Sequence, residues 1–174
     1  MSRKPFENMN CPIAQTANIV GERWSILILR NAFCGMKHFQ DFQQHLGIAT
    51  SSLTARLQQL TENGILKRVP CEHDGRSYEY QLTTKGLDLY PLLLAMTEWG
   101  ETWAKNSHGR RIRIIERATG QDIGGVTALS PSRQHPLWLA DLDVKPGPGA
   151  DEDTRRLFEL SRNADPLIKE SESD

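Results

Sequence analysis

Apolar residues recur at helical spacing over residues 49–64. Leu53, Leu57 and Leu60 fall within one narrow sector, so the pattern predicts an amphipathic helix that ends at Gly64. The opposite face carries short or amide side chains in place of the usual mixture of Glu and Lys, namely Ser51, Thr54, Ala55, Gln58 and Gln59. Such side chains can enter a DNA groove and bond to base edges, although a plain surface helix also fits the pattern.

Two further helices are predicted upstream. Apolar residues on more than one side predict a long helix over 13–32, which Gly35 ends. Inward-facing aromatic residues predict a short helix over 37–46, which Gly47 stops. Together with the helix over 49–64, these elements have the order of a tri-helical DNA-binding unit.

A β-hairpin is predicted directly after the helix over 49–64. Two short strands flank the turn dipeptide Asp74-Gly75, and the second strand alternates in polarity from Tyr78 to Leu82. A polar-faced helix followed by a hairpin with a basic tip is the arrangement of a winged helix-turn-helix. In that arrangement the helix lies in the major groove, and the hairpin reaches the neighbouring backbone or the minor groove.

The stretch 84–105 predicts another helix, which is apolar on two faces. One broad sector holds Leu89, Leu92, Leu93, Met96, Trp99 and Trp103, while Leu87 and Leu94 lie nearly opposite. Pro91 belongs to an early turn or marks a kink. Two apolar faces need two partners, so the helix is either buried in a larger core or part of a dimer interface. For a domain of this size we favour the dimer, which would place two reading helices on a palindromic operator.

The segment after residue 107 has a different character. Alternation over 111–117, a turn at Thr119-Gly120 and a return over 123–129 predict a small β-rich appendage. A short helix is predicted over 154–162, and the last dozen residues are expected to be solvated and mobile. The predicted fold is α+β, mainly α: a winged helix-turn-helix with a long dimerisation helix in residues 1–107 and a β-rich extension in residues 108–174.

Composition adds little to this picture. The chain has 174 residues, 38% of them hydrophobic, with a net charge of −1. Residues 151–174 carry eight acidic and four basic side chains, which leaves a net charge of +3 on residues 1–150. DNA binding would therefore depend on where individual basic residues lie. The sequence has no apolar run long enough for a membrane span and no signal-peptide pattern, so we expect a cytoplasmic protein with reduced cysteines.

Several separated segments together resemble the HxlR family of bacterial winged-helix regulators, which are relatives of the MarR group. The segments are CPIAQTANIVGERWSILILRNAF, HFQDFQQHLGIATSSLTARLQQLTENGILKR, YQLTTKG and EWGETW, in that order. The resemblance implies a homodimer on operator DNA, with the Ser51–Gln59 face as reader and the His73–Arg76 tip as wing. Family members often have Ser where this chain has Ala49, so Thr50 or Ser51 is expected to cap the helix. The extension has no cysteine after Cys71, so no zinc ribbon is expected there.

The candidate site residues follow from these patterns. The DNA-binding candidates are Lys37, Thr50, Ser51, Ser52, Thr54, Ala55, Arg56, Gln58, Gln59, His73 and Arg76. The dimerisation candidates are Ile13, Val20, Trp24, Leu89, Leu93, Met96, Trp99 and Trp103. Arg56 lies beside the leucine stripe, so it either contacts phosphate or braces the helix. Lys67 and Arg68 either contact phosphate or are solvated.

Metal and catalytic chemistry receive little support from the sequence. Cys71-x-His73 lacks a second pair at ligand spacing, so no metal site and no cofactor are predicted, and His38 and His45 are interpreted as surface residues. No nucleophile elbow, P-loop or dinucleotide fingerprint is present in the sequence. We therefore predict a regulator rather than an enzyme. The alternative is an enzyme or a protein-interaction module that uses the C-terminal extension.

Cys11 is the candidate for signal sensing. It precedes Pro12 at the start of a predicted helix, where the positive end of the helix dipole favours a thiolate. The resemblance implies a sensor of oxidants, electrophiles or quinones at this place, although a cysteine here can also simply pack. If Cys11 is not the switch, a small-molecule effector bound between the dimer helices is the alternative.

Overall fold

The computed structural model describes residues 6, 9–71, 74–104, 109–123, 125–129, 131, 136–137, 142 and 145–162, with side chains except at 74–76 and 158–162. The helices are α1 (Pro12–Val20), α2 (Arg23–Phe33), α3 (Phe39–Leu46), α4 (Thr50–Glu62), α5 (Thr84–Leu87), α6 (Tyr90–Trp103) and α7 (Glu152–Arg162). The strands are β1 (Leu66–Cys71), β2 (Asp74–Leu82), β3 (Ala128–Leu129) and β4 (Pro136–Leu137). The predicted α+β fold, mainly α, is confirmed.

The chain forms two compact units. One consists of Thr16–Val126, and the other combines Met1–Gln15 with Thr127–Asp174. The predicted domains, 1–107 and 108–174, divide the chain elsewhere, and that division stays a prediction. In the structure Arg110 and Arg111 form ion pairs with Glu98 and Glu101 of α6, so the segment after residue 108 adheres to this helix.

The core of the Thr16–Val126 unit lies where α2, α3, α4 and the β1–β2 hairpin meet. Leu53, Leu57 and Leu60 are completely buried, which confirms the inward stripe of the helix over 49–64. The other buried members of this core are Val20, Ile28, Leu29, Phe42, Ile48, Ile65 and Leu66. The leucine stripe thus fixes the orientation of α4 and leaves its opposite face in solvent.

The predicted long helix over 13–32 is wrong in one respect, because it is two helices. Gly21 donates its amide to the Ala17 carbonyl at 2.8 Å and ends α1. Glu22 then adopts an extended conformation and caps α2. A Cβ placed on Gly21 would lie 2.4 Å from the Ala17 oxygen, so this break requires glycine. The apolar periodicity runs on across so short a break, which is why it predicted one helix.

The turn from α3 to α4 follows the prediction at Gly47 but not at the helix cap. Gly47 has a φ of +60° and ends α3 in the left-handed conformation. Ala49 takes the cap position of α4 with no side-chain hydrogen bond, so the prediction that Thr50 or Ser51 caps the helix is wrong. The Thr50 hydroxyl instead accepts a hydrogen bond from Gln43 Nε2 at 2.8 Å, which links α4 to α3.

The β1–β2 hairpin forms the predicted antiparallel wing, with its turn displaced. Leu66 pairs with Leu82 at its base, and Cys71 pairs with Asp74 at its tip. This register places Asp74 in β2, so the turn predicted at Asp74-Gly75 is wrong. Residues 72 and 73 lie outside the described part of the chain.

The helix predicted over 84–105 is also divided. Residues 88 and 89 separate α5 from α6, and Pro91 occupies the first turn of α6, as one of the two predicted alternatives had it. Thr83 accepts a hydrogen bond from the Gly86 amide at 3.1 Å and donates its hydroxyl to the Gly64 carbonyl at 2.6 Å. These bonds fasten α5 to the end of α4.

The β-rich character predicted after residue 107 is reduced in the structure. Among the residues that the structure describes, an isolated bridge joins Ile115 to Asp122, and the two-residue strands β3 and β4 pair with each other. The short helix predicted over 154–162 is confirmed by α7. The mobility predicted for residues 163–174 concerns a segment outside the described residues.

Candidate nucleic-acid interface

The solvent face of α4 carries the predicted set of uncharged side chains. Thr50, Ser51, Thr54, Ala55 and Gln58 are exposed, whereas Ser52, Arg56 and Gln59 are half-buried. Two exposed members already make local bonds: Thr54 donates its hydroxyl to the Thr50 carbonyl at 2.9 Å, and Gln58 donates its amide to Glu62 at 2.7 Å. Both bonds lie on the surface of the helix, where DNA can replace the partner.

Gln59, which was predicted to contact bases, is bonded within the protein, and Arg56 is one of its partners. Gln59 Nε2 donates to the Asn18 carbonyl of α1 at 3.2 Å, and its Oε1 accepts from Arg56 Nη1 at 2.6 Å. Both polar ends of the Gln59 amide are therefore occupied within the protein. The hydrogen bond to Gln59 is compatible with the bracing role offered for Arg56, and a phosphate contact by Arg56 stays a prediction.

A cleft of about 400 Å³ lies beside the start of α4. It is lined by Glu22, Arg23, Trp24, Ser51, Ser52, Ala55 and Arg56. Exposed Arg23 places its guanidinium 5.1 Å from the centre of the Trp24 ring, which restricts its orientation. Two arginines beside two serines form a group of donors suited to phosphate oxygens.

Arg23 was missed as a candidate by sequence reasoning. A continuous helix over 13–32 would place Arg23 in mid-helix, with no reason to lie near the start of α4. The break at Gly21-Glu22 instead makes Arg23 the first residue of α2. The glycine before Glu-Arg-Trp was the signal that could have revealed it.

Basic residues also line the wing and its base. Arg68 of β1 places its guanidinium 3.6 Å from the centre of the Tyr78 ring on β2. Lys37, a DNA-binding candidate, is half exposed, and its Nζ lies 3.8 Å from Glu79 Oε2. Its backbone carbonyl accepts a hydrogen bond from the Tyr80 amide at 2.8 Å, which joins the loop before α3 to the wing. His73 and the side chain of Arg76 lie outside the described residues.

Glu79 is the acidic group in this basic surround. The hydrogen bond that Gln81 donates lowers the pKa of the Glu79 carboxyl below its usual value, partial burial opposes this, and the charge of Lys37 adds to the lowering. The carboxylate is therefore ionised at neutral pH and holds Lys37 at the base of the wing.

The dimerisation candidates fall into three groups. Val20 is only 3% exposed within the core of its own chain, so assigning it to an interface was wrong. Trp24, Leu89 and Leu93 are half-buried and pack against that core. Ile13, Met96, Trp99 and Trp103 are exposed, Trp99 by 66% and Trp103 by 70%.

Cys11 is half-buried at the start of α1, where its carbonyl accepts the Gln15 amide at 3.0 Å. All three cysteines are free thiols, with Cys34 exposed and Cys71 half-buried. None of the helices in the described part of the chain has the length and apolar character that a bilayer crossing requires.

Three helices around one core, a polar-faced third helix and a two-stranded wing define a winged helix-turn-helix, a class of DNA-binding proteins. Residues 19–108 match the family described as HxlR-like helix-turn-helix. The chain belongs to this family, which confirms the resemblance found in its sequence.

The relatives of the chain agree with this assignment. The chain is 35% identical over 137 residues to an uncharacterised HTH-type transcriptional regulator of Mycobacterium tuberculosis (strain H37Rv), covering 79% of this chain and 86% of the relative. It is similar in structure to PA1607, described as a candidate transcription factor, with a TM-score of 0.75, 36% identity, and coverage of 83% of this chain and 100% of that one. A second candidate transcription factor, PA1374 from Pseudomonas aeruginosa, gives a TM-score of 0.59 at 36% identity, covering 84% and 99%. The chain is a DNA-binding transcriptional regulator.

Proposed function

We propose that the protein binds a palindromic operator as a homodimer and inserts α4 of each subunit into a major groove. The observation that carries this proposal is the uncharged, exposed face of α4, bordered on one side by the cleft of Arg23 and Arg56. Helix-turn-helix proteins contact base edges with the first residues of the recognition helix. Ser51, Ser52 and Ala55 lie in that part of α4 and are our leading candidates for base contacts, in place of Gln59.

Phosphate contacts are assigned to the basic groups on either side of α4. Arg23 and Arg56 lie beside the start of the helix, while Lys37 and Arg68 lie at the base of the wing. Contacts of this kind fix the position of the protein on the duplex without reading sequence. The modest overall charge of the chain is compatible with this division, because binding depends on four local cations rather than on bulk charge.

Dimerisation is assigned to the exposed apolar surface of α6. No residue of α6 is fully buried in the single chain, although the helix carries Leu92, Met96, Trp99 and Trp103 on its exposed side. Contiguous exposed apolar side chains of this size mark an interaction surface. Because two-fold dimers are the commonest oligomers, a second copy of the chain is the expected partner.

The experiment that tests the proposal combines selection and sedimentation. Fragments bound from random DNA should share an inverted repeat, with half-site centres about one helical turn apart. Sedimentation of the free protein at micromolar concentration should give about twice the chain mass of 19.7 kDa. A monomer that selects a single, unrepeated site would contradict the homodimer while leaving DNA binding intact.

Signal response through Cys11, or through a small molecule between the dimer helices, remains a prediction. It concerns the regulation of the site and not its DNA-binding chemistry.

A further inference from the structure

Three potential metal ligands converge where the wing meets the start of α3. They are His38, Cys71 and Glu79, and each offers one ligand atom within 4.8 Å of the other two. Cys71 Sγ lies 4.0 Å from His38 Nδ1, and Glu79 Oε1 lies 4.0 Å from His38 Nε2. These residues come from three different segments, so the fold brings them together and local sequence does not.

The backbone holds this cluster in place. His38 forms a bridge with Glu79 of β2, and Cys71 ends β1 in the same hairpin. His38 caps α3 without a side-chain hydrogen bond, so its imidazole has no capping role to give up. The three side chains are exposed or half-buried, which leaves room for the small rotations that would close the cluster on an ion.

The two oxygens of Glu79 have separate surroundings that suit metal binding. Oε2 accepts from Gln81 Nε2 at 3.0 Å and lies 3.8 Å from Lys37 Nζ, whereas Oε1 faces His38. One oxygen is thus available as a ligand while the other is held by neighbouring donors. Ligands in established metal sites are commonly oriented in this way by outer hydrogen bonds.

The chemistry of the three donors limits which metal ions can bind there. A thiolate, an imidazole and a carboxylate are ligands that Zn²⁺ accepts together, with bond lengths of about 2.0–2.3 Å in a tetrahedral arrangement. Hard cations such as Mg²⁺ and Ca²⁺ prefer oxygen alone. A set of three protein ligands leaves a fourth position for water.

We propose that His38, Cys71 Sγ and Glu79 Oε1 bind one divalent ion of the Zn²⁺ class and so tie the start of α3 to both strands of the wing. This departs from the expectation, drawn from the sequence, that the chain has no metal site. The sequence concealed the site because its ligands lie 33 and 8 positions apart, with no paired spacing of the CxxC or HxxxH kind.

The first test is titration of the reduced, metal-free full chain with Co²⁺, a spectroscopic substitute for Zn²⁺. We expect one equivalent per chain, with a thiolate-to-cobalt charge-transfer band and the visible bands of tetrahedral cobalt, both removed by added Zn²⁺. Cys71→Ser should abolish the charge-transfer band, and the matched control Cys34→Ser should keep it. A band that survives Cys71→Ser, or that disappears in Cys11→Ser instead, would overturn the proposal.

The other two ligands are tested by affinity. His38→Ala and Glu79→Gln should each weaken Zn²⁺ binding at least about tenfold, the loss expected even for outer-shell groups. His45→Ala is the histidine control and should leave the Zn²⁺ affinity unchanged. Equal affinities in the wild type and in both ligand variants would refute the assignment of these residues.

A third measurement needs no variant, so its result does not depend on whether the substituted proteins fold. Zn²⁺ should slow alkylation of Cys71 by iodoacetamide in the wild-type chain, as read by peptide mass spectrometry, and should leave Cys34 unaffected. Cys71 that is alkylated at the same rate with and without Zn²⁺ would count against the site. None of these measurements uses DNA, so they are independent of the proposed operator binding.

Discussion

Helices α4 and α6 both pack one face on the core but expose different kinds of side chain to solvent. Each packs one side on the core of its own chain, α4 through Leu53, Leu57 and Leu60, and α6 through Leu93 near its start. The solvent side of α4 is polar and almost uncharged, while that of α6 carries Met96 and two tryptophans. Burial of one face fixes the position of each helix in the fold. The exposed residues then determine which partner the helix can bind, and we propose DNA for α4 and a second protein chain for α6.

The largest expected effect is the difference in stability between substitutions on the buried face and on the exposed face of α4. Leu57→Ala should lower the free energy of unfolding by about 2–5 kcal/mol, because it opens a cavity at a completely buried position. Gln58→Ala, one residue further on the exposed face, should change it by no more than about 0.5 kcal/mol. Urea denaturation of both variants measures the difference. Similar losses in both would mean that the leucine stripe does not anchor α4.

The next effect concerns the outer side of α6. Trp99→Ala should weaken the dimer by about 2 kcal/mol or more, roughly thirtyfold in dissociation constant, since large aromatic residues dominate protein interfaces. Leu157→Ala on α7 is the control, because its side chain is 62% exposed, close to the 66% of Trp99. Sedimentation across a concentration series reads the constant. If Leu157→Ala dissociated the dimer and Trp99→Ala did not, the interface would lie elsewhere.

A smaller effect distinguishes a residue that contacts base pairs from a residue that holds α4 against the rest of the protein. Ser51→Ala should change the preference for one base pair by roughly 1 kcal/mol, at the low end of the range for base contacts. Gln59→Ala should instead lower protein stability and leave the order of preferred sequences intact, because its amide bonds to Asn18 and Arg56. Binding to a panel of single-base operator variants measures the preference. A preference altered by Gln59→Ala alone would restore the original assignment of Gln59 as a base reader.

Arg23→Ala should weaken binding to all sequences alike. The slope of log affinity against log salt should fall in magnitude by about 1.8, because each phosphate contact contributes about 0.9 and the proposed dimer loses one contact in each subunit. Arg23→Lys should keep the slope, and Arg155→Ala, an exposed arginine of α7, should leave it unchanged. The slope is obtained from binding at several salt concentrations, and an unchanged slope in Arg23→Ala would exclude the cleft as a phosphate site.

The smallest expected effect is that of Cys11, since it is predicted to modulate binding without contacting the DNA. Diamide should weaken operator binding by the wild type and by Cys34→Ser, but not by Cys11→Ser, because only Cys11 is predicted to be the sensing thiol. The measurement is operator affinity before and after treatment. Equal responses in the wild type and in Cys11→Ser would mean that Cys11 is not the switch, and would favour a small molecule bound between the dimer helices.

Apolar spacing predicted the parts of the fold that a continuous core determines. The leucines of α4 and the glycines that follow α3 and α4 were sufficient for the helix-turn-helix, because periodicity and left-handed stops are local properties. The breaks at Gly21-Glu22 and at residues 88–89 escaped because each is short and the apolar pattern continues across it. The turn was predicted at Asp74-Gly75 because that dipeptide is a strong local turn signal. The pairing of Cys71 with Asp74 depends on contacts across the hairpin, which the dipeptide does not contain.

The candidate site could be predicted only from the angular positions of the residues around the α4 axis. Angle alone placed Ser51 and Gln59 on the same outward face, yet Gln59 bonds to Asn18 of α1 while Ser51 is exposed. That difference depends on a neighbouring helix whose position no local pattern contains. Arg23 and the His38–Cys71–Glu79 cluster were hidden for the same reason, since each arises from contacts between segments far apart in sequence.

The smaller unit has a consequence for protein production, because it is built from both ends of the chain. Asn10 donates its amide to the Gly149 carbonyl at 2.7 Å and accepts the Thr154 hydroxyl at 2.9 Å. Truncation after residue 126 would therefore leave Asn10 without these partners. A circular permutant that joins residue 174 to residue 1 and opens between residues 126 and 127 would make the smaller unit continuous in sequence. Separating the units at residue 15 would instead divide α1 (Pro12–Val20), which contributes residues to both of them.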